Sequence, residues 1–360
     1  MAPSFNKIHN RFKFNGHHFN HEEFKEVAYS LIKEGDLHDR ITGDFLTDWL
    51  NDDDFIFAET SGSTDIPKHI KLEKQAMVNS AIATGDFFGL KPGDTALNCL
   101  SSNYIAGKMM LVRAMILGLE IDCETPHSKP MFNTNKVYDF SAMVPMQVAG
   151  SIKKLDNVKT VIVGGSKIVP FLLEWMKSSP VKFYETYGMT ETMTHVALKP
   201  LDTLTQNGED FFKALPTVNF SQDERGCLII DAPNLIETPL ITNDVVDLKS
   251  DKEFKWLGRF DNVINSGGVK LFPEQIEDKL LPIIKKRIIV SSQPDDKFGE
   301  VVILIVETSD KISEELQHKI KNAKSLHKYE IPKHIYTVDE FVLTSNGKVQ
   351  RQKTIQSVLG

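Results

Sequence analysis

Between Glu59 and Ile70 the chain reads ETSGSTDIPKHI. Thr60, Ser61, Ser63 and Thr64 supply hydroxyls, Gly62 leaves the backbone open, and Lys68 adds a positive charge. Hydroxyls, unobstructed backbone N–H groups and a lysine are the groups with which a chain surrounds a phosphate. The spacing differs from the GxxxxGK[ST] loop, which would need glycine where Pro67 stands. A Ser/Thr-rich surface turn would share the composition.

Four further stretches carry chemistry. In YGMTE, Tyr187 offers a π face, Thr190 a hydroxyl and Glu191 a hard oxygen ligand suited to Mg²⁺. In ITND, Asp244 is a carboxylate of the kind that accepts from a ribose diol. The run GRFDNVINSGGVKLFPEQIE, residues 258–277, joins Arg259, Asp261 and Lys270 to the pair Gly267–Gly268. Near the C-terminus, TSNGKVQR carries Lys348. A looser glycine segment, VIVGGSK, holds Gly164, Gly165 and Ser166.

Taken in order, these stretches resemble the motifs of the adenylate-forming superfamily, which includes acyl-CoA synthetases, luciferases and peptide-synthetase adenylation domains. TSGSTDIPK is similar to its TSGSTGxPK loop and YGMTE to its YGxTE segment. ITND is similar to its TGD, with Asn243 in place of glycine, and residues 258–277 resemble GRxDxxIxxGGxKxxPxEIE. The resemblance implies that residues 60–64 and Lys68 hold the ATP phosphates, and that Thr190 binds the α-phosphate. It implies further that Tyr187 with Gly188 lies against adenine, that Gly164, Gly165 and Ser166 line the adenine and acid pocket, and that Glu191 holds Mg²⁺. Asp244 and Arg259 would contact the ribose region, and Asp261 would be the hinge of a rotating C-terminal domain. Gly267, Gly268 and Lys270 would border the channel for the pantetheine arm of coenzyme A. Lys348 would swing in to stabilise charge between the attacking carboxylate and the phosphate. Asp65 stands where the superfamily usually has glycine, a position for a left-handed turn with its charge turned away from the triphosphate.

The short stretch before Thr60, together with NYIAGKMMLVRAMILGL, is most similar to the compact o-succinylbenzoate–CoA ligases of menaquinone synthesis. Tyr104 occupies the place of a histidine in larger relatives. Such a substrate carries a second carboxylate that needs a cation or donors. Lys108 and Arg113 are the nearest basic residues; either they grip it or they sit on a solvated helix face. Loading of a carrier protein, or a non-catalytic nucleotide-binding relic, are the rival readings. Lys68, Glu191, Arg259 and Lys348 together argue against the relic.

These motifs need a scaffold. From residue 95 to 188, β-rich runs alternate with helical patterns, which predicts an α/β fold with a mostly parallel sheet. After residue 258 the pattern predicts a small α+β unit: a helix from Pro273, strands at RIIVSS and EVVILIVET, a helix at SEELQHKIKNAKSL and a strand at HIYTVDE. The expected division is an abbreviated N-terminal domain over 1–258 and a mobile domain over 259–360.

Composition sets the remaining bounds. The chain has 360 residues and a formal net charge of -7, which argues against nucleic acid as the main partner. Cys99, Cys123 and Cys227 form no CxxC pair and suit a reducing compartment. GHHFNH places His17 and His21 at i,i+4, a spacing that zinc sites can use, but it reads as a solvated patch. No apolar run approaches the ~20 residues of a membrane helix, and the first residues lack the pattern of an export signal. The expectation is a cytoplasmic enzyme that uses ATP, Mg²⁺, coenzyme A and a small carboxylic acid.

Overall fold

The computed structural model describes residues 3–60, 68–201, 211–343 and 349–360, with the backbone alone described at Glu59, Thr60 and Lys68. A short hairpin of β1 (Lys13–Phe14) and β2 (His17–His18) leads into α1 (His21–Glu34) and α2 (Leu37–Leu50). Each helix starts at a reciprocal cap: Asn20 with Glu23, and Asp36 with Asp39. Two orphan N–H groups are thereby satisfied per helix. The two helices approach closely, since a Cβ on Gly43 would lie 2.7 Å from the Ala28 carbonyl oxygen. From α2, Phe45, Leu46, Trp49 and Leu50 enter the main core.

The hairpin of β3 (Phe55–Thr60) and β4 (Lys68–Glu73) pairs Thr60 with Lys68. It leads into α3 (Lys74–Phe88). Lys74 is fully buried and donates to Asn51 O at 3.1 Å and Asn51 Oδ1 at 2.8 Å, which ties the end of α2 to the start of α3. The acids 52–54 lie exposed around it.

The alternating part follows. It comprises β5 (Thr95–Asn98), α4 (Ile105–Leu117), β6 (Glu120–Cys123), β7 (Tyr138–Met143), α5 (Pro145–Ser151), β8 (Val158–Val163), α6 (Pro170–Ser178) and β9 (Lys182–Gly188). The order β9-β8-β7-β5-β6-β1 is parallel throughout. Nine residues of α4 are buried, so this helix is apolar nearly all round.

Beyond β9 the same sheet continues antiparallel through β10 (His195–Pro200), β11 (Phe212–Ala214), β12 (Asn219–Gln222), β13 (Cys227–Asp231), β14 (Leu240–Ser250) and β15 (Glu253–Arg259). The order is β12-β13-β14-β15-β11-β10-β9. The parallel layer is where strand–helix alternation places it. The antiparallel extension carries no helices between its strands, so that alternation gives no sign of it.

After the turn Phe260–Asn262 come β16 (Ile264–Ser266), β17 (Val269–Leu271), α7 (Pro273–Ile284), β18 (Ile288–Asp295), β19 (Gly299–Glu307), α8 (Glu314–Lys321), β20 (His334–Val338) and α9 (Arg351–Leu359). These strands form their own sheet, and residues from Ile264 to Ile320 form their own buried cluster. The α+β pattern expected after residue 258 is present, with α9 in addition. Gly43→Ala should destabilise the protein by about 1–3 kcal/mol, the usual effect of overpacking. Urea unfolding would show it, and an unchanged midpoint would mean that α1 and α2 separate without cost.

Candidate active site

The strand register aligns Asn98 with Ala142, Met143 with Val163, and Val163 with Glu185. The segments that follow β5, β7, β8 and β9 therefore emerge along one edge, at the carboxyl ends of parallel strands, where α/β folds place ligands. Close backbone packing shapes this edge. A Cβ on Gly164 would lie 2.2 Å from Thr186 Oγ1, and one on Gly188 would lie 2.3 Å from Thr194 O. Gly165 has φ +84, which also favours glycine. Gly165 and Ser166 are exposed, and Thr190 is half-buried. The exposed Glu191 is a hard oxygen ligand in the same turn, a donor that fits Mg²⁺. Strand β3 packs against the turn Thr190–Thr192, so the strand leading to residue 61 reaches this edge. Ser61, Gly62, Ser63, Thr64, Asp65 and Lys348 lie outside the described residues, as do the side chains of Thr60 and Lys68.

Asp244 is the best-defined group. It is only 7% exposed and accepts from Tyr187 Oη at 2.7 Å and from Trp256 Nε1 at 3.1 Å. Arg259, paired with it in register, brings Nη1 to 3.8 Å of Asp244 Oδ1. Burial, with Asp244 beside it, raises the Tyr187 phenol well above its ordinary range, so it stays a donor. The Tyr187 ring packs edge-on to Phe254, with centroids 5.0 Å apart, and tilted to Phe212 at 5.8 Å. Its hydroxyl is thus committed to the carboxylate, and the ring leans on an aromatic cluster.

A second polar cluster lies under the edge. Arg113 on α4 is fully buried, which corrects the alternative of a solvated helix face. Its Nη2 donates to Thr194 Oγ1 at 2.7 Å and its Nε to Thr84 Oγ1 at 3.3 Å. The His195 ring lies against both, with Nδ1 3.5 Å from Arg113 Nη2 and Nε2 3.5 Å from Thr84 Oγ1. Burial, then the neighbouring guanidinium, holds His195 well below its ordinary range, so its imidazole is neutral at pH 7. Burial pushes Arg113 down to about 9, so it remains charged at neutral pH. No carboxylate among the described residues pairs with it, and a buried charge without a partner is costly. Lys108 points elsewhere on α4, its Nζ 4.9 Å from the Phe45 ring centre. Tyr104 caps the start of α4 and is half-exposed.

The remaining expected residues belong to the joint. Asp261 Oδ2 lies 3.4 Å from Arg259 Nη2 and accepts from Asn243 Nδ2 at 3.3 Å. Gly267 and Gly268 form the exposed β16–β17 turn, and Lys270 is exposed on β17. A Cβ on Gly267 would meet only Phe298 and Tyr329, and one on Gly268 would meet nothing within 4 Å. The structure thus gathers Tyr187, Asp244 and Arg259 but leaves the glycine pair apart from them. Thr84, Thr194, His195 and Trp256 were not legible as site residues. The signal for two of them is their place directly after YGMTE, in TMTH.

The family described as AMP-binding enzyme matches residues 46–219. A curated 2-succinylbenzoate–CoA ligase from Listeria monocytogenes is 25% identical, over 91% of this chain and 74% of the relative. The solved structure of O-succinylbenzoate coenzyme A synthetase from Bacillus subtilis, in complex with ATP and magnesium ion, is 21% identical with TM-score 0.70. It covers 83% of this chain and 69% of that one, a likeness of fold. An acyl-CoA synthetase (AMP-forming)/AMP-acid ligase II-like protein from Dyadobacter fermentans is 33% identical with TM-score 0.61. That match spans 92% of this chain and 98% of the other. With a relative matched almost end to end at this identity, the chain belongs to the AMP-binding, AMP-forming acyl-CoA synthetase family.

Proposed function

We propose that the protein is an ATP-dependent acid–CoA ligase whose acid is o-succinylbenzoate, the substrate named for its curated relatives. The observation that carries the choice of acid is Arg113, a buried guanidinium held by Thr194 and Thr84 without a carboxylate partner among the described residues. A dicarboxylic acid supplies the missing anion with the group that does not react. The neutral His195 adds polarity without a competing charge.

The reaction runs in two steps. The free carboxylate of the acid attacks the α-phosphorus of ATP, and the bond to pyrophosphate breaks. The CoA thiolate then attacks the acyl carbon of the adenylate, and AMP leaves with the electron pair. Asp244, fixed by Tyr187 and Trp256, orients the ribose and thereby the α-phosphate. Thr190 donates to that phosphate, and Lys348 stabilises its developing charge. Glu191 is the residue that would hold Mg²⁺, which when bound offsets phosphate charge. The small unit over 259–360 turns about Asp261 between the steps. Cys99, Cys123 and Cys227 are all free thiols, which supports a cytoplasmic setting.

The carrier-protein reading differs in the acceptor. Beside Gly267 a cavity of 280 Å³ is lined by Ser266, Phe298, Lys328, Tyr329 and Lys333 among others. Two lysines and two aromatic rings suit the phosphates and base of a nucleotide, which favours free CoA.

A panel of acids with ATP and Mg²⁺ should give pyrophosphate with o-succinylbenzoate and AMP-coupled thioester once CoA is added. Turnover of only simple fatty or benzoic acids would remove the substrate assignment. Arg113→Met should raise KM for o-succinylbenzoate about 100-fold, in line with losing a charge-assisted pair. KM for ATP should stay within about twofold, and equal rises in both would end the carboxylate role. Replacing Lys328 and Lys333 together by alanine should raise KM for CoA about tenfold and leave pyrophosphate release intact, as expected for lost phosphate contacts. An unchanged KM for CoA would restore the carrier-protein reading.

A further inference from the structure

Lys167 reaches across the seam between the two sheets from the large unit. Lys167 follows Ser166 in the glycine segment after β8. Its Nζ lies 2.6 Å from Asp278 Oδ1 and donates to Glu274 O at 3.2 Å, both on α7 of the small unit. Helices α6 and α7 touch at the same place, as do α7 and β15. Gln275 Nε2 donates to Trp256 O at 3.3 Å. The seam therefore runs from the glycine segment to the strand that carries Trp256 and Arg259.

The same seam holds an opposing feature. Glu274 is 9% exposed, and its Oε1 accepts from Asn262 Nδ2 at 2.6 Å. Its Oε2 is buried with no donor among the described residues. It presses on Gly258, where a Cβ would lie only 2.4 Å away. An unpartnered buried carboxylate oxygen disfavours the arrangement that buries it. A surface-accessible ion pair such as Lys167–Asp278 favours it modestly. The two effects oppose each other in one contact, which is what a readily reversed two-state element requires.

We infer that Lys167 is a positioning residue that holds α7 against the glycine segment and so biases the enzyme toward the arrangement with Gly267–Gly268 turned away. The inference rests on the two-step reading above, in which thioester formation needs those glycines at the site. In the present arrangement they meet only their own unit. Loss of Lys167 shifts the balance toward the other arrangement. Asp278 is the partner that makes the contact charge-dependent.

Two measurements on the full chain test this. In the first, Lys167→Ala and Asp278→Asn are compared with the unaltered protein in limited proteolysis around residues 259–263, without substrates. Cleavage should become about three- to tenfold faster in both, as expected when a modest contact biases an equilibrium. The charge exchange Lys167→Asp with Asp278→Lys should restore the slower rate. In the second, pyrophosphate release without CoA is compared with CoA-dependent consumption of supplied acyl-adenylate. The ratio of the second to the first should rise about three- to tenfold in Lys167→Ala and fall back in the exchange variant. Unchanged proteolysis, or two half-reactions that move together, overturns the role of Lys167. Faster proteolysis in a protein whose parent releases no pyrophosphate with any acid supports the contact and overturns the ligase reading instead.

Discussion

The hydrogen bond from Tyr187 to Asp244 constrains the whole antiparallel half of the sheet. In the strand order, β9 and β14 are separated by β10, β11 and β15. Laid flat, four steps between strands would place them roughly 19 Å apart. A direct bond of 2.7 Å across that interval requires the sheet to curl back on itself. What fills the curl is aromatic: Phe254 lies 5.0 Å from Tyr187, 5.5 Å from Phe212 and 4.9 Å from Phe220, measured between ring centres. Those rings bury the apolar area that stabilises the curvature, and the polar ends of Tyr187 and Trp256 are left facing one carboxylate. Asp244, the acid proposed to hold the ribose, is thus set by the packing of a barrel-like core, not by a loop.

That constraint explains how two differently built halves share a site. The parallel half supplies an edge of strand ends with glycines at two close approaches, Gly164 and Gly188. The antiparallel half supplies a fixed carboxylate and the strand that runs on to Arg259 and the joint. Because β9 and β10 form the border between the halves, the stretch from Tyr187 to His195 contributes to both polar clusters. One run of nine residues therefore links the Asp244 cluster to the buried arginine.

The family was more legible in the sequence than the shape. Motifs such as YGMTE and GRFDNVINSGGVKLFPEQIE are legible because the phosphate, ribose and metal contacts proposed for them need particular side chains at fixed spacing. The parallel layer is legible because apolar strands alternate with helices of different period. The helices α1 and α2 left little trace, since they are half-exposed and their caps are short polar pairs. The curl of β9 to β15 was not legible, because it depends on contacts between rings far apart in the chain. Arg113 illustrates the limit: on an apolar helix its residue type shows a charge, but only packing decides that the charge is buried.

The role proposed for Arg113 would also tie the protein's persistence to the supply of its acid. Among the described residues this buried guanidinium has two threonine hydroxyls as acceptors and no carboxylate. Under that proposal a bound dicarboxylate would complete the cluster as an internal ion pair does, and anything that binds only the folded state adds to its stability. The acid would then be a structural component of the fold as well as a reactant. Where such an acid is scarce the folded population would be held less firmly, and turnover of the protein would follow the flux through the reaction.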